Sequence, residues 1–85
     1  MIEISDNQYW RKLNNNDMTL VVNFIVIDGV TGWRLPNYQE LLEVCPIVYG
    51  DNEIYIDNIW SLESWGVKNQ YPNFLKFWLI PVRDI

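Results

Sequence analysis

Hydrophobic and polar positions follow a helical spacing most clearly in the middle of the chain. Asn37 is followed three residues later by Glu40, which is the pattern of a capped helix N-terminus. We expect Pro46 to end this helix, because proline lacks a backbone donor and restricts the residue before it. The apolar face of the predicted helix consists of Tyr38, Leu41, Leu42 and Val44.

Two weaker patterns lie nearer the N-terminus. Ser5, followed three residues later by Gln8, resembles a capping box and predicts a short helical turn. The apolar residues of that turn are Tyr9, Trp10 and Leu13. The asparagine triplet at positions 14–16, followed by Asp17, predicts a turn, because short polar side chains satisfy local backbone groups.

The stretch from Thr19 to Ile27 has two interpretations. Its β-branched residues favour a strand. Asn16 or Asp17 can instead cap a helix over the same residues. The apolar face of that helix would hold Leu20, Phe24 and Ile27.

The second half of the chain has the pattern of short strands and loops. A turn or bulge at Asp57-Asn58 is flanked by Ile54, Ile56, Ile59 and Trp60. Residues 65–72 are predicted to form a loop or hairpin tip. Residues 74–80, with Val82, are predicted to form a central strand, in which Pro81 permits a bulge or an edge. Helices followed by short strands predict an α+β domain with a small antiparallel sheet.

Four segments of the chain resemble motifs of one known family. The segment GWRLPNYQEL at 32–41 resembles the GWRLP…EL signature of the Lcl C-terminal-domain family. The tripeptide at 59–61 resembles the family's YWSS block, and that at 82–84 resembles its terminal VRD. Met18-Thr19-Leu20 resembles the MTW that opens the family's first helix. The family is in turn similar to the sulfatase-modifying enzymes and to the wider C-type-lectin-like fold.

The resemblance extends from about Met18 to Ile85 and implies a minimal C-type-lectin-like domain. Such a domain would have two helices followed by a small antiparallel sheet. The resemblance also favours a helix from Thr19 to Ile27, since tertiary context can override a local preference of a few tenths of a kcal/mol per residue. Residues 1–17 lie outside the resemblance, and they either pack onto the domain as an extra turn or form an arm.

The motif residues also have a structural explanation that is independent of any family. Trp33 and Leu35 alternate with Arg34, so two apolar side chains can point inward while the guanidinium turns elsewhere. We expect Arg34 and Arg83 to pair with acids such as Glu40 or Asp84, because a guanidinium holds two carboxylate oxygens at once. We therefore predict a fold-specifying role for Trp33, Arg34, Leu35, Pro36, Glu40, Trp60, Arg83 and Asp84.

Composition restricts the chemistry that is available. The chain of 85 residues is expected to form a single domain, 1–85. The absence of histidine removes the commonest general base and metal ligand. The single cysteine, Cys45, excludes an intrachain disulfide and a thiolate zinc cage. At the predicted end of a helix this thiol has no base, so we expect a buried structural thiol, no enzymatic activity and no cofactor.

The acidic residues around position 55 are the weak candidates for a metal site. Carboxylate oxygens suit a hard cation such as calcium. Their spacing matches neither an EF-hand loop nor the calcium motifs of true C-type lectins, so we expect a solvated acidic loop and no metal. The three carboxylates are Asp51, Glu53 and Asp57.

Aromatic residues are abundant, with five Trp, five Tyr and three Phe. A small core can hold some of them, and we expect this of Trp33, Trp60, Phe77 and Trp78. Tyr and Trp are favoured at recognition surfaces, because they bury a large area and keep a polar tip. The predicted binding residues, in loops or at strand ends, are Trp65, Tyr71, Tyr49 and Tyr55.

These features favour a non-catalytic module that binds another protein, of a kind found among small phage or mobile-element proteins. The net charge of −5 favours a partner with a basic surface, or self-association, and disfavours nucleic acid and membranes. Carbohydrate binding and an oligomeric structural subunit of a phage particle are the alternatives. No signal peptide or bilayer-length apolar run is present, so we expect a cytoplasmic protein, in a host cell or virion.

Overall fold

A computed structural model describes residues 1–5, 10–21, 26–49 and 56–85. The described residues form four short strands and three α-helices, with one 3₁₀ turn at Ile56–Asn58. The strands are β1 (Ile2–Ile4), β2 (Arg11–Leu13), β3 (Phe77–Leu79) and β4 (Val82–Asp84). The helices are α1 (Asn15–Val21), α2 (Tyr38–Tyr49) and α3 (Trp65–Lys68). None of the helices in these ranges is long and apolar enough to cross a membrane.

Each N-terminal strand pairs with a C-terminal strand. Strand β1 is antiparallel to β4, with Ile4 opposite Val82, and β2 is antiparallel to β3, with Leu13 opposite Phe77. Arg34 joins the other side of β4 by two backbone hydrogen bonds to Val82, of 2.8 and 3.0 Å. The described residues before α1 are therefore packed onto the rest of the chain by sheet pairing and do not form a free arm.

The structure contains both helices and sheets, as predicted, but the order of its elements differs from the prediction. Among the described residues, two strands precede the helices, a third helix follows α2, and the strands form two separate two-stranded sheets. The prediction of two helices followed by one sheet is wrong in these respects. Pairing with strands at the opposite end of the chain explains the difference, because local patterns contain no information about such distant partners.

Strand β2 replaces the helical turn that was predicted through Trp10 and Leu13. In β2, Leu13 is buried while Arg11 and Lys12 are exposed, which suits a strand with a single buried side chain. Gln8 and Tyr9, which belong to the same predicted turn, lie outside the described residues, whereas Ser5 is described. Its backbone carbonyl and its Oγ both accept a hydrogen bond from Trp10 Nε1, each at 3.1 Å.

Helix α1 begins earlier than the sequence predicted. Asn14 Oδ1 accepts a 2.9 Å hydrogen bond from the backbone N–H of Asp17, so Asn14 caps the helix, and the predicted asparagine turn becomes its start. The predicted helix is confirmed over residues 19–21 and is wrong at Ile27. Ile27 instead pairs with Val30 across a tight turn, and residues 22–25 lie outside the described residues.

Helix α2 has the predicted N-terminus and an unexpected C-terminus. The side chain of Asn37 accepts from the N–H of Glu40 at 2.8 Å, and that of Glu40 accepts from the N–H of Asn37 at 2.9 Å. The helix passes through Pro46 to Tyr49, so the predicted end at Pro46 is wrong. An internal proline costs about 3 kcal/mol, which burial of Leu41 and Val44 at about 1.5–3 kcal/mol each can offset.

The core formed by the described residues consists of two adjoining clusters. The first cluster contains Leu13, Met18, Leu35, Trp60 and Leu79. The second cluster contains Leu41, Val44, Ile59, Ile80 and Val82. Two pairs of consecutive residues, Ile59-Trp60 and Leu79-Ile80, contribute one side chain to each cluster, as expected for extended chain whose side chains alternate. These two segments therefore connect the clusters.

The C-terminal third differs from its predicted elements mainly in length. The predicted strand over 74–80 is reduced to β3, and Pro81 separates it from β4. Ile59 forms a single parallel bridge with Trp78, with a 2.8 Å bond from the N–H of Trp60 to the carbonyl of Trp78. Residues 65–68, predicted as loop or hairpin tip, form helix α3.

Candidate binding site beside helix α3

A pair of serines shapes the turn that leads into α3. The N–H of Ser61 donates to Ser64 Oγ at 3.0 Å, and the N–H of Ser64 donates to Ser61 Oγ at 3.1 Å. The two hydroxyls also bond to each other at 2.9 Å. This reciprocal arrangement satisfies two backbone donors directly after the buried Trp60, so α3 has a fixed starting point relative to the core.

Lys68, the last residue of α3, is a buried cation. Only 7% of the residue is exposed, and its Nζ donates a 3.1 Å hydrogen bond to the carbonyl of Ile59. The ammonium also lies 5.0 Å from the centre of the Phe77 ring, a cation–π arrangement. Burial lowers the pKa of Lys68, and the charge of Asp57 partly opposes that effect. Within the described part of the chain, no carboxylate forms an ion pair with it.

A cavity of about 490 Å³ lies beside Lys68, and we call it the α3 cavity. Its volume is within the ~300–1,000 Å³ that is usual for ligand sites in proteins. The cavity combines an aliphatic side chain and two aromatic rings with one acid, one base and two neutral polar groups. The residues lining it are Asp57, Asn58, Ser64, Val67, Lys68, Tyr71 and Phe77.

The aromatic wall of the α3 cavity is continuous with the core. The centres of the Tyr71 and Phe77 rings are 5.8 Å apart. Phe77 meets Trp60 edge-on, with 5.3 Å between the ring centres. Trp65 packs on Trp60 at 5.4 Å. The buried Trp60 thus contacts Trp65 on one side and Phe77 on the other, and Phe77 contacts Tyr71. These ring contacts hold the cavity wall in place.

The structure places two of the four predicted binding aromatics beside this site. Tyr71 lines the cavity and is 40% exposed. Trp65 is half-buried against the first core cluster, so it supports the site more than it presents a free surface. Tyr49 is the last residue of α2, and the structure describes its backbone only. Tyr55 lies outside the described residues.

The predicted acidic patch is described only at Asp57. This residue lies in the 3₁₀ turn, is exposed, and lines the α3 cavity. Asp51 and Glu53 lie outside the described residues. The ranges that the structure covers contain no group of three or more Cys, Asp or Glu side chains placed to hold a metal ion.

The chain next to the cavity exposes several apolar side chains, which we call the α3 face. They are Val67 at 58%, Tyr71 at 40%, Phe74 at 80% and Leu75 at 38% exposed. Contacts with α1 fix this segment: the Asn15 side-chain amide donates to the carbonyls of Asn69 at 3.1 Å and Tyr71 at 2.6 Å. The exposed apolar groups are therefore presented by chain that is hydrogen-bonded to the fold.

The GWRLP…EL and VRD motifs meet at Arg34. Its guanidinium donates two 2.7 Å hydrogen bonds to Glu40, and bonds of 2.7 and 3.2 Å to Asp84. These contacts raise the pKa of Arg34 and lower those of Glu40 and Asp84. The three charged groups therefore bond to one another, although the Asp84 side chain stays 73% exposed.

Arg83 has different partners from those predicted. It pairs with Glu3 at 2.5 Å and lies over the half-buried Trp33 ring, 5.5 Å from its centre. Arg83 therefore pairs with an acid, as expected, but that acid is Glu3 and not Glu40 or Asp84. Adjacent residues in β4 point to opposite faces, so the Arg83 side chain lies on the other face from Asp84, which bonds to Arg34. Pairing of β1 with β4 places Glu3 opposite Arg83 instead.

Cys45 is half-buried and packs against the second core cluster. Burial raises the pKa of its thiol, so the thiol is protonated at neutral pH and is a poor nucleophile. Its position in the middle of α2 results from the continuation of that helix past Pro46.

Lys68 is the functional candidate that the sequence analysis missed. The adjacent residues Val67 and Asn69 do not indicate that Lys68 is buried. Residues that lie around Lys68 come from the 3₁₀ turn and β3, which are distant from it in sequence. The spacing of Ser61 and Ser64 was the only local signal, and it indicates the turn without indicating the cavity.

Comparison of the chain with protein-family models gives no match, and neither the curated proteins nor the solved structures contain a significant match to it. The resemblance to the Lcl C-terminal-domain family thus stays a prediction from the motifs.

Proposed function

We propose that this protein is a non-catalytic binding module that engages another protein through the α3 face and the α3 cavity. The proposal rests on one observation above all. Four apolar side chains are exposed within a single short segment, and two of them, Val67 and Tyr71, line a cavity whose aromatic wall reaches the core. Exposed apolar groups that lie together indicate an interaction surface more often than single exposed residues do.

The α3 face is suited to binding because the fold already orders it. Immobilising a flexible loop on association costs free energy for each side chain that is fixed. Here the backbone N–H of Tyr71 bonds to the carbonyl of Lys68 at 3.1 Å, and that of Leu75 bonds to the carbonyl of Pro72 at 3.0 Å. A partner would therefore meet a surface that needs little further ordering.

Charge indicates what surrounds the apolar contact on the partner. The chain has a net charge of −5, and the exposed Asp57 lies at the cavity. A basic partner surface is favoured, because complementary potentials increase the rate of encounter. Self-association through the same face, as in a structural subunit of a phage particle, is the competing outcome.

The fold assignment belongs to the same proposal. We take the chain to be a minimal C-type-lectin-like domain related to the Lcl C-terminal-domain family, and to act in a host-cell cytoplasm or in a virion. The mutual contact of two motifs, in which Arg34 bonds to Val82 and Asp84, supports a common structural role for them. Catalysis is not part of the proposal.

Carbohydrate binding is a second candidate, because Tyr71 shares the α3 cavity with Asp57 and Asn58. A sugar ring can stack on an aromatic face while its hydroxyls bond to neighbouring polar groups. An array of neutral glycans, tested with and without calcium, separates this candidate from protein binding.

The experiment that tests the proposal compares two double variants in affinity capture from cells of the protein's own host. Tyr71→Ala/Phe74→Ala removes large side chains from the α3 face. Leu20→Ala/Leu42→Ala removes side chains that are 73% and 54% exposed on α1 and α2. We expect the first variant to lose a stoichiometric partner that the second retains. Equal recovery of that partner by both folded variants would reject the α3 face as the binding surface.

A further inference from the structure

The ammonium of Lys68 has bonding capacity that the described fold does not use. An ammonium has three N–H donors. Among the described residues, one hydrogen bond is formed, to the carbonyl of Ile59, and the Phe77 ring provides a second, weaker contact. The same side chain lines the α3 cavity, so a ligand there can reach the remaining donor.

Burial makes an anion a favourable partner for this group. A buried charge without a paired opposite charge is costly, and the cost falls when a carboxylate is brought into hydrogen-bonding contact. Lys68 is 7% exposed, and the acid in the same cavity, Asp57, forms no ion pair with it. A ligand carboxylate would supply the missing counter-charge.

The other walls of the cavity indicate what accompanies the carboxylate. Phe77, Tyr71 and Val67 provide an apolar surface, while Asp57 and Asn58 provide acceptors for an N–H group. A C-terminal apolar residue of a polypeptide has all three features on adjacent atoms: a carboxylate, an apolar side chain and a backbone N–H. An aspartate or glutamate side chain has the carboxylate without the apolar group.

We infer that the α3 cavity binds the C-terminal residue of a partner polypeptide, with its α-carboxylate on Lys68 and its apolar side chain against Phe77 and Tyr71. This inference rests on the proposed function and specifies the part of the partner that enters the cavity. Asp57 or Asn58 accepts the backbone N–H of that residue, which fixes its orientation.

The test uses a short peptide as the probe, so the natural partner need not be known. N-acetyl-Ala-Phe with a free carboxylate is titrated into the ¹⁵N-labelled protein at pH 7, beside the same peptide with a C-terminal carboxamide. We expect saturable shifts of the Lys68, Tyr71 and Phe77 amide signals, with affinity about tenfold higher for the acid than for the amide. Equal affinity for the two peptides, shifts located elsewhere, or binding of neither would overturn the inference.

A matched pair of variants assigns the preference to one side chain. Lys68→Met removes the ammonium while keeping an unbranched apolar stem, and Lys76→Met makes the same change at an exposed lysine. The acid-over-amide preference should disappear only in Lys68→Met. A preference that survives in folded Lys68→Met would also overturn the inference, and the wild-type comparison decides the question if that variant does not fold.

The two proposals fail in different ways. If capture depends on Tyr71 and Phe74 while the acid and amide peptides bind equally, the α3 face is a binding surface and the carboxylate inference is wrong. If the acid peptide binds selectively while capture is indifferent to Tyr71 and Phe74, the cavity accepts a free C-terminus, but no protein partner uses the α3 face.

Discussion

Arg34 and Glu40 form a two-pronged ion pair, in which both N···O distances are 2.7 Å. Arg34 belongs to the segment that pairs with β4, and Glu40 belongs to the first turn of α2. The same guanidinium bonds to Asp84 in β4. One side chain therefore joins the start of α2 to β4, and its loss would remove a polar contact between elements that are distant in sequence.

Arg34→Lys should destabilise the fold, although the positive charge is kept. An ammonium cannot form paired parallel bonds to Glu40 while also reaching Asp84. We expect a loss of about 1–2 kcal/mol in the free energy of unfolding, measured by urea denaturation. Arg11→Lys, the same change at an exposed residue of β2, should stay within about 0.5 kcal/mol. A similar loss in both variants would show that the Arg34 contacts contribute no specific stability.

Stability should decrease as the pH falls through the acidic range. Hydrogen bonds from Arg34 lower the pKa of Glu40 below its ordinary value of 4.5 and that of Asp84 below 3.8. A carboxyl group with a lower pKa in the folded state stabilises the fold above its unfolded pKa. That contribution is lost as the pH falls from about 4.5 through the folded values.

The measurement is the urea midpoint of wild type and Glu40→Gln between pH 7 and pH 2. Wild type should lose stability steeply below about pH 4.5, whereas Glu40→Gln should start lower at pH 7 and change less. Parallel curves for the two proteins would mean that Glu40 does not titrate with the fold.

The capping box at the start of α2 gives a prediction with an internal control. Asn37→Ala removes the 2.8 Å acceptor of the Glu40 N–H and should cost about 1 kcal/mol in thermal or urea unfolding. Asn37→Asp and Asn37→Ser keep a capping oxygen and should lie close to wild type. If all three variants are equally destabilised, some other property of Asn37 is responsible.

The parts of the fold that the sequence predicted are those whose causes are local. Asn37 and Glu40 stabilise each other within one turn, so their spacing was sufficient to locate the start of α2. Strand β2 was predicted as a helical turn, because its pairing partner β3 lies at the other end of the chain. The α3 cavity was not predicted, because Asp57, Lys68 and Phe77 belong to three separate elements.

Ion pairing by the arginines of the two motifs shows the same limit. Acids such as Glu40 and Asp84 were the expected partners of the arginines at 34 and 83. Arg34 pairs with both of them, but Arg83 is paired with Glu3 through the β1–β4 register. That register could not be derived from the sequence, because no local pattern identified Ile2–Ile4 as a strand.

Pro46 offers the sharpest test of where α2 ends. The helix continues to Tyr49, so Pro46 removes one hydrogen bond to the carbonyl of Leu42, whose residue is 54% exposed. Pro46→Ala restores the missing donor and should raise the free energy of unfolding by about 1–3 kcal/mol, partly offset by a more flexible unfolded chain. The circular-dichroism signal at 222 nm should increase, or stay constant, together with the urea midpoint. Glu43→Ala, at an exposed position of the same helix, controls for a general effect of alanine. A destabilised Pro46→Ala would contradict this prediction and would mean that the restriction of the unfolded chain by proline outweighs the missing hydrogen bond.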